Sequence, residues 1–183
     1  DGSLRGRMLP ERLTELQVEL EKNPFRGAVL VCPYTPNFWR VRFPGGPEAV
    51  LEAFGSWLFE VLLPRVRAET PASKHPSELG LDGVSLGGYA SLSVALRHLP
   101  ELGAIGCVQA AVSAADASRW ARNIAEAMAI HGQRPLHLLT SDQDVFRGAV
   151  EALSAALHAR SVEHTLRVAI GQRPVVLLRF DGS

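Results

Sequence analysis

Six short apolar runs punctuate the chain, over residues 27–32, 79–85, 104–110, 135–140, 165–170 and 174–180, and most lack polar alternation. Runs of this length suit strands covered on both faces. Between them, apolar residues recur at three- and four-residue spacing, which predicts helices over 10–21, 47–66, 88–98, 118–130 and 145–160. Pro10 fits a first helical turn, where its missing N–H removes no bond. In the second helix Val50, Phe54, Trp57, Val61 and Leu62 are expected to share one face, with Pro64 ending or bending it. Strands alternating with helices argue for a three-layer α/β/α sandwich with a mainly parallel sheet and right-handed crossovers. Residues 33–47 and 70–78, rich in Pro, Gly, Asn and Ser, read as loops. Loops at the carboxyl ends of strands are where open α/β sheets hold ligands.

A length of 183 residues fits one domain over 1–183. Lys plus Arg (19) balances Asp plus Glu (19), so no strong field gathers nucleic acid or an anionic membrane surface. No apolar run nears the roughly 20 residues that cross a bilayer. Residues 1–7 are polar and lack the apolar core of a secretory signal. Cys32 and Cys107 each sit in an apolar run and are expected as inert core thiols, in a reducing, cytoplasmic setting. No zinc spacing is present, and neither a metal nor a cofactor is expected. The expected partner is a small-molecule ester, with no nucleic acid or membrane, and the expected state is a monomer or homodimer.

One motif carries chemistry. Residues 82–89 read Asp-Gly-Val-Ser-Leu-Gly-Gly-Tyr, a Gly-x-Ser-x-Gly pattern set between a predicted strand and a predicted helix. Glycines two residues either side of the serine let strand and helix close tightly around a strained nucleophile. Such a turn would present Ser85 Oγ at a helix N-terminus, where backbone N–H groups favour developing negative charge. Leu86 would supply one oxyanion-hole N–H. The plainer alternative is a glycine-rich turn whose serine caps the helix.

A serine nucleophile needs a base, and the base an orienting acid, in the chain order Ser, acid, His. The acidic turn Ser141-Asp142-Gln143-Asp144 follows a predicted strand, and we favour Asp144 over Asp142 as the acid. Both also suit the first turn of a helix. The histidine should follow the strand over 165–170, but Gly171-Gln172-Arg173 stands there instead. Neither glutamine nor arginine acts as a general base at neutral pH. The histidines at 75, 98, 131, 137, 158 and 164 are expected in ordinary structural settings.

Around Gly83-Val-Ser-Leu-Gly-Gly88 the sequence resembles the α/β-hydrolases, specifically the esterase D and enterochelin-esterase-like esterases. Phe54 to Pro64, Gly88 to Pro100 and the turn at 141–146 are similar to the family's helix before the nucleophile strand, its post-nucleophile helix and its acid turn. The resemblance implies hydrolysis of carboxylic esters through an acyl-enzyme on Ser85, with Asp144 as acid. Two departures stand out. The family's Gly-x-His is absent, and residues 173–183 look like the family's early strand and loop, placed last. We read the order as circularly permuted, with an unrelated C-terminal edge strand as the alternative; connected ends lying close together permit such a rearrangement. Phe38 and Trp39 in the loop over 34–43 would line an acyl or aryl pocket, and Arg40 and Arg42 would meet an anionic group, against a reading as ordinary surface arginines. The Arg–Glu spacing of enterochelin relatives is missing here. Three functional readings follow: a serine esterase, a catalytically impaired binding module that keeps the elbow, and a rearranged fragment.

Overall fold

The computed structural model describes residues 28–170. The helix expected over 10–21, the strand expected over 174–180 and the joint at 171–173 lie outside the described residues, and with them the test of permutation. The chain divides into two compact units, Cys32–Leu178 and Asp1–Val31 with Arg179–Ser183, and every element below belongs to the first. The expectation of one domain over 1–183 therefore extends past the described residues.

Among the described residues, four parallel strands lie side by side in chain order: β1 (Gly80–Leu81), β2 (Ala104–Val108), β3 (Leu136–Ser141) and β4 (Thr165–Ala169). Leu81 faces Ile105, Cys107 faces Leu138, and Leu138 faces Leu166 across the ladder. Pairing of the first strand lapses at Asp82 and Gly83 and resumes in the same register at Val84, opposite Val108. Adjacent parallel strands require crossovers. Ahead of the sheet run α1 (Gly46–Trp57), a π turn (Leu58–Leu62) and α2 (Leu63–Glu69); the crossovers are α3 (Leu86–His98), α4 (Ala117–His131) and α5 (Arg147–His158).

Side-chain periodicity explains the packing. Along α4, Ala117, Trp120, Ala121, Ile124, Ala127 and Met128 are buried at three- and four-residue intervals, and Val150, Leu153 and Leu157 do the same on α5. These stripes meet Leu92 and Leu99 of the α3 region over the sheet face that carries Ile105, Cys107, Leu136 and Leu138. On the opposite face Asp82, His137, Thr165 and Arg167 are exposed. Of the three expected layers, the described residues supply the sheet and one helical layer. None of their helices is long and apolar enough to cross a membrane.

Three expectations need correction. Residues 28–32 form no strand, and Cys32 is exposed rather than buried; only Cys107 is a core thiol, its pKa pushed up to about 12 mainly by burial and further by Asp82. The buried stripe before the sheet is only partly the expected one. Val50 is buried as expected, beside Leu51 and Gly55, while Trp57 is 41% and Val61 55% exposed. Close approach to α3 selects that face, since a Cβ on Gly55 would stand 3.3–3.4 Å from His98 and Val94. One turn on, Phe59 continues the stripe, its ring stacked on His98 at 4.1 Å. Pro64 does not end the helix, which runs on as α2 after the π turn. It has no N–H and its ring crowds the carbonyl four residues back, and just before it Leu63 N–H donates to Leu58 five residues earlier.

Candidate active site

At the carboxyl end of β1 the backbone turns abruptly. Ser85 has φ 54° and ψ −112°, a conformation that a non-glycine residue adopts only when its surroundings impose it. They do so through several bonds. Ser85 N–H donates to Val108 O (2.8 Å), Val108 N–H to Gly83 O (2.9 Å), and Gly87 N–H to Val84 O (2.7 Å). Ser85 O in turn accepts from Tyr89 N–H (3.1 Å) and Ala111 N–H (3.0 Å). The serine is half-buried and stands at the N-cap position of α3, but its hydroxyl makes no capping bond to that helix. Leu86 opens α3, so its N–H belongs to the first turn, where donors have no intrahelical acceptor.

The glycines divide their work differently from the expectation. A Cβ at Gly83 would lie 2.3 Å from the Gly87 backbone, and one at Gly88 would lie 3.1 Å from Ala110 Cα. At Gly87 a Cβ would meet nothing within 4 Å among the described residues. Close approach therefore explains Gly83 and Gly88, not Gly87.

Asp82 enters the turn from below. Its Oδ1 accepts the Gly83 N–H at 2.6 Å, and its carboxylate fills the space a side chain at Gly106 would need. Loss of water in that seat raises its pKa, while the Gly83 bond and the charge of His137 oppose the shift.

Asp144 lies beyond β3 at the same end of the sheet, with β2 between it and the serine. Half-buried, it takes one donor on each oxygen: Thr140 Oγ1 donates to Oδ2 at 2.7 Å and Phe146 N–H to Oδ1 at 3.0 Å. Asp142 is exposed, and its own N–H donates to Ala169 O. The carboxylate of Asp144 is thus partly buried and held by two donors.

All six histidines fall among the described residues, and no hydrogen bond joins any of them to Ser85 or Asp144. His75 bonds Ser77, His98 bonds Glu101, His137 bonds Thr165, and His164 bonds Ser154 and Val162. His131 and His158 end exposed helical turns.

The loop before α1 is pinned by Phe38, which is fully buried. This anchors Trp39, 57% exposed, edge-on to Tyr89 at 5.5 Å, one helical turn from Ser85. Phe38 and Trp120 complete the cluster around Tyr89. Arg40 is exposed, and its side chain makes no hydrogen bond or ion pair among the described residues.

Two residues missed in the sequence stand here. Thr140 holds the carboxylate of Asp144. Gln109, just past β2, has φ 50° and is 93% buried by its 7% exposure, yet its side chain bonds nothing in the described residues. Its signal was a lone amide at the end of the apolar run Ala-Ile-Gly-Cys-Val-Gln, on the strand that fastens the elbow. Thr140 gave none beyond its place four residues before Asp144.

The chain matches no protein-family model and no curated protein. It does match solved structures. A ferulic acid esterase superposes with a TM-score of 0.53 at 12% identity, over 64% of this chain and 53% of that one. The apoenzyme of the S-formylglutathione hydrolase FrmB from Staphylococcus aureus gives 0.56 at 17% identity, over 72% and 60%. This is the α/β-hydrolase fold. The chain spans between 53% and 60% of the length of these two proteins. The likeness is one of fold, and the strained turn at Ser85 stands at the carboxyl edge of its parallel sheet.

Proposed function

We propose that the chain is a serine hydrolase of carboxylic esters that works through an acyl-enzyme on Ser85. The observation that carries this is the backbone of Ser85, held at φ 54° and ψ −112° with an uncommitted hydroxyl at the start of a helix. Strain of this kind costs on the order of 1–3 kcal/mol and persists where a function uses it. In the reaction, Oγ bonds the ester carbonyl carbon as its proton passes to a base. The oxyanion sits on Leu86 N–H and a second loop N–H, and the alcohol leaves with a proton as the acyl-enzyme forms. Water then releases the acid. Asp144 would orient that base, which no histidine bonded to Ser85 or Asp144 supplies among the described residues. Trp39 offers an apolar ring to the substrate, and Arg40 supplies positive charge nearby for an anionic substituent. Both structural neighbours are named as hydrolytic enzymes, which agrees with this reading.

The second reading is an α/β-hydrolase-fold binding module without turnover. It is favoured by the histidines, four of which are bonded elsewhere. The two readings separate in one assay. Turnover of p-nitrophenyl acetate and butyrate, and labelling by a fluorophosphonate, are expected in the parent and lost in Ser85→Ala. Equal rates in parent and Ser85→Ala reject the nucleophile. A folded parent that neither turns over nor labels supports the binding module.

A further inference from the structure

The amide of Gln109 has no task in the reaction above, and its setting is unusual. Left-handed backbone is uncommon outside glycine, and a buried polar side chain normally finds a partner; Gln109 has the first and lacks the second. Neither of its amide atoms is among the sealed, unpartnered polar atoms, which are Trp120 Nε1 and Ser141 Oγ, so the amide retains access to solvent.

Its position is fixed by the nucleophile's own bonds. Val108, the residue before it, accepts from Ser85 N–H, and Ala111, two residues after it, donates to Ser85 O. Gln109 N–H donates to Leu139 O at 2.7 Å, which ties it to β3 as well. The residue therefore stands on the carboxyl edge between the strand of Ser85 and the strand that leads to Asp144.

Resting on the reading of Ser85 as the nucleophile, we propose that Gln109 is a specificity-determining residue whose carboxamide hydrogen-bonds a neutral hydroxyl or amide on the ester substrate. A carboxamide both donates and accepts and does not titrate, so it matches such groups and carries no charge preference. A hydrocarbon in the same place leaves the amide unpaired when water is excluded. The substrate class is an ester with a hydrogen-bonding group close to the scissile bond, in preference to a plain alkyl ester.

The test pairs 2-hydroxyethyl acetate with propyl acetate, which differ by a hydroxyl in place of a methyl. The parent is expected to favour the hydroxylated ester by about five-fold in kcat/KM. Gln109→Leu should bring the ratio to about one, and Gln109→Asn, which keeps an amide and tolerates the left-handed backbone, should retain part of it. A ratio unchanged in Gln109→Leu overturns the proposal, as does an equal loss on both esters. A second measurement needs no turnover. In Ser85→Ala, the side-chain amide resonances assigned by their absence in Gln109→Leu should shift on titration with 2-hydroxyethyl acetate and not with propyl acetate. Resonances that stay put with both probes overturn the proposal. Failure of the nucleophile reading shows separately, as turnover indifferent to Ser85→Ala.

Discussion

Ser85, Asp82 and the three elbow glycines show how single positions divide between shape and chemistry. Replacing Gly83 by Ala drives a Cβ into backbone at 2.3 Å and should cost about 2–3 kcal/mol in urea denaturation. Gly87→Ala meets open space and exchanges a poor helix former for a good one, so it should be neutral or gain up to about 1 kcal/mol. Equal losses at both sites would show that the two glycines serve the same end. Asp82 has a pKa raised above 3.8 in the fold, chiefly by loss of water. A raised carboxyl binds protons more tightly when folded, so its contribution to stability is full below the unfolded pKa and fades as pH climbs through the folded value. Asp82→Asn should therefore gain on the parent as pH rises from about 3 to 7, read from urea midpoints across that range. A gap independent of pH would contradict the assignment.

Elements were legible where one rule sufficed. The strands β2, β3 and β4 and the helices α3, α4 and α5 stand within a few residues of their apolar patterns because period and packing agree. The segment over 46–69 shows where pattern alone falls short. Apolar residues lie on more than one face of it, and the choice was made by a glycine that lets two helices touch, which no apolar count registers. Leu51→Ala, at 1% exposure, should cost about 2–4 kcal/mol. Trp57→Ser should stay within about 0.5 kcal/mol despite the larger side chain removed. Thermal unfolding of the two variants decides it, and the reverse order would restore the expected face. The elbow was legible because Gly-x-Ser-x-Gly fell between a strand and a helix. Gln109 was marked only by a lone amide ending an apolar run, since a left-handed backbone leaves no trace in spacing, and residues 28–32, though apolar, form no strand.

Taken whole, the described sheet carries helices on one side, and the two cysteines differ sharply in how far they are covered. Cys32 is exposed, whereas Cys107 lies in β2 under the helices with its thiol pushed up to about 12. A thiolate reagent at pH 8 should modify Cys32 rapidly and Cys107 only as the domain unfolds, giving one fast thiol per chain. Two fast thiols would mean that the helical layer is looser than its packing indicates.

The first strand spans only Gly80–Leu81, whereas Ser85 is clasped through Val108 and Ala111. Ser85 is thus a tenant of the neighbouring strand. Its amide proton should exchange with deuterium on the timescale of β2 rather than of the frayed ends, and any loosening of β2 would disarm the serine before the rest of the protein lost its shape.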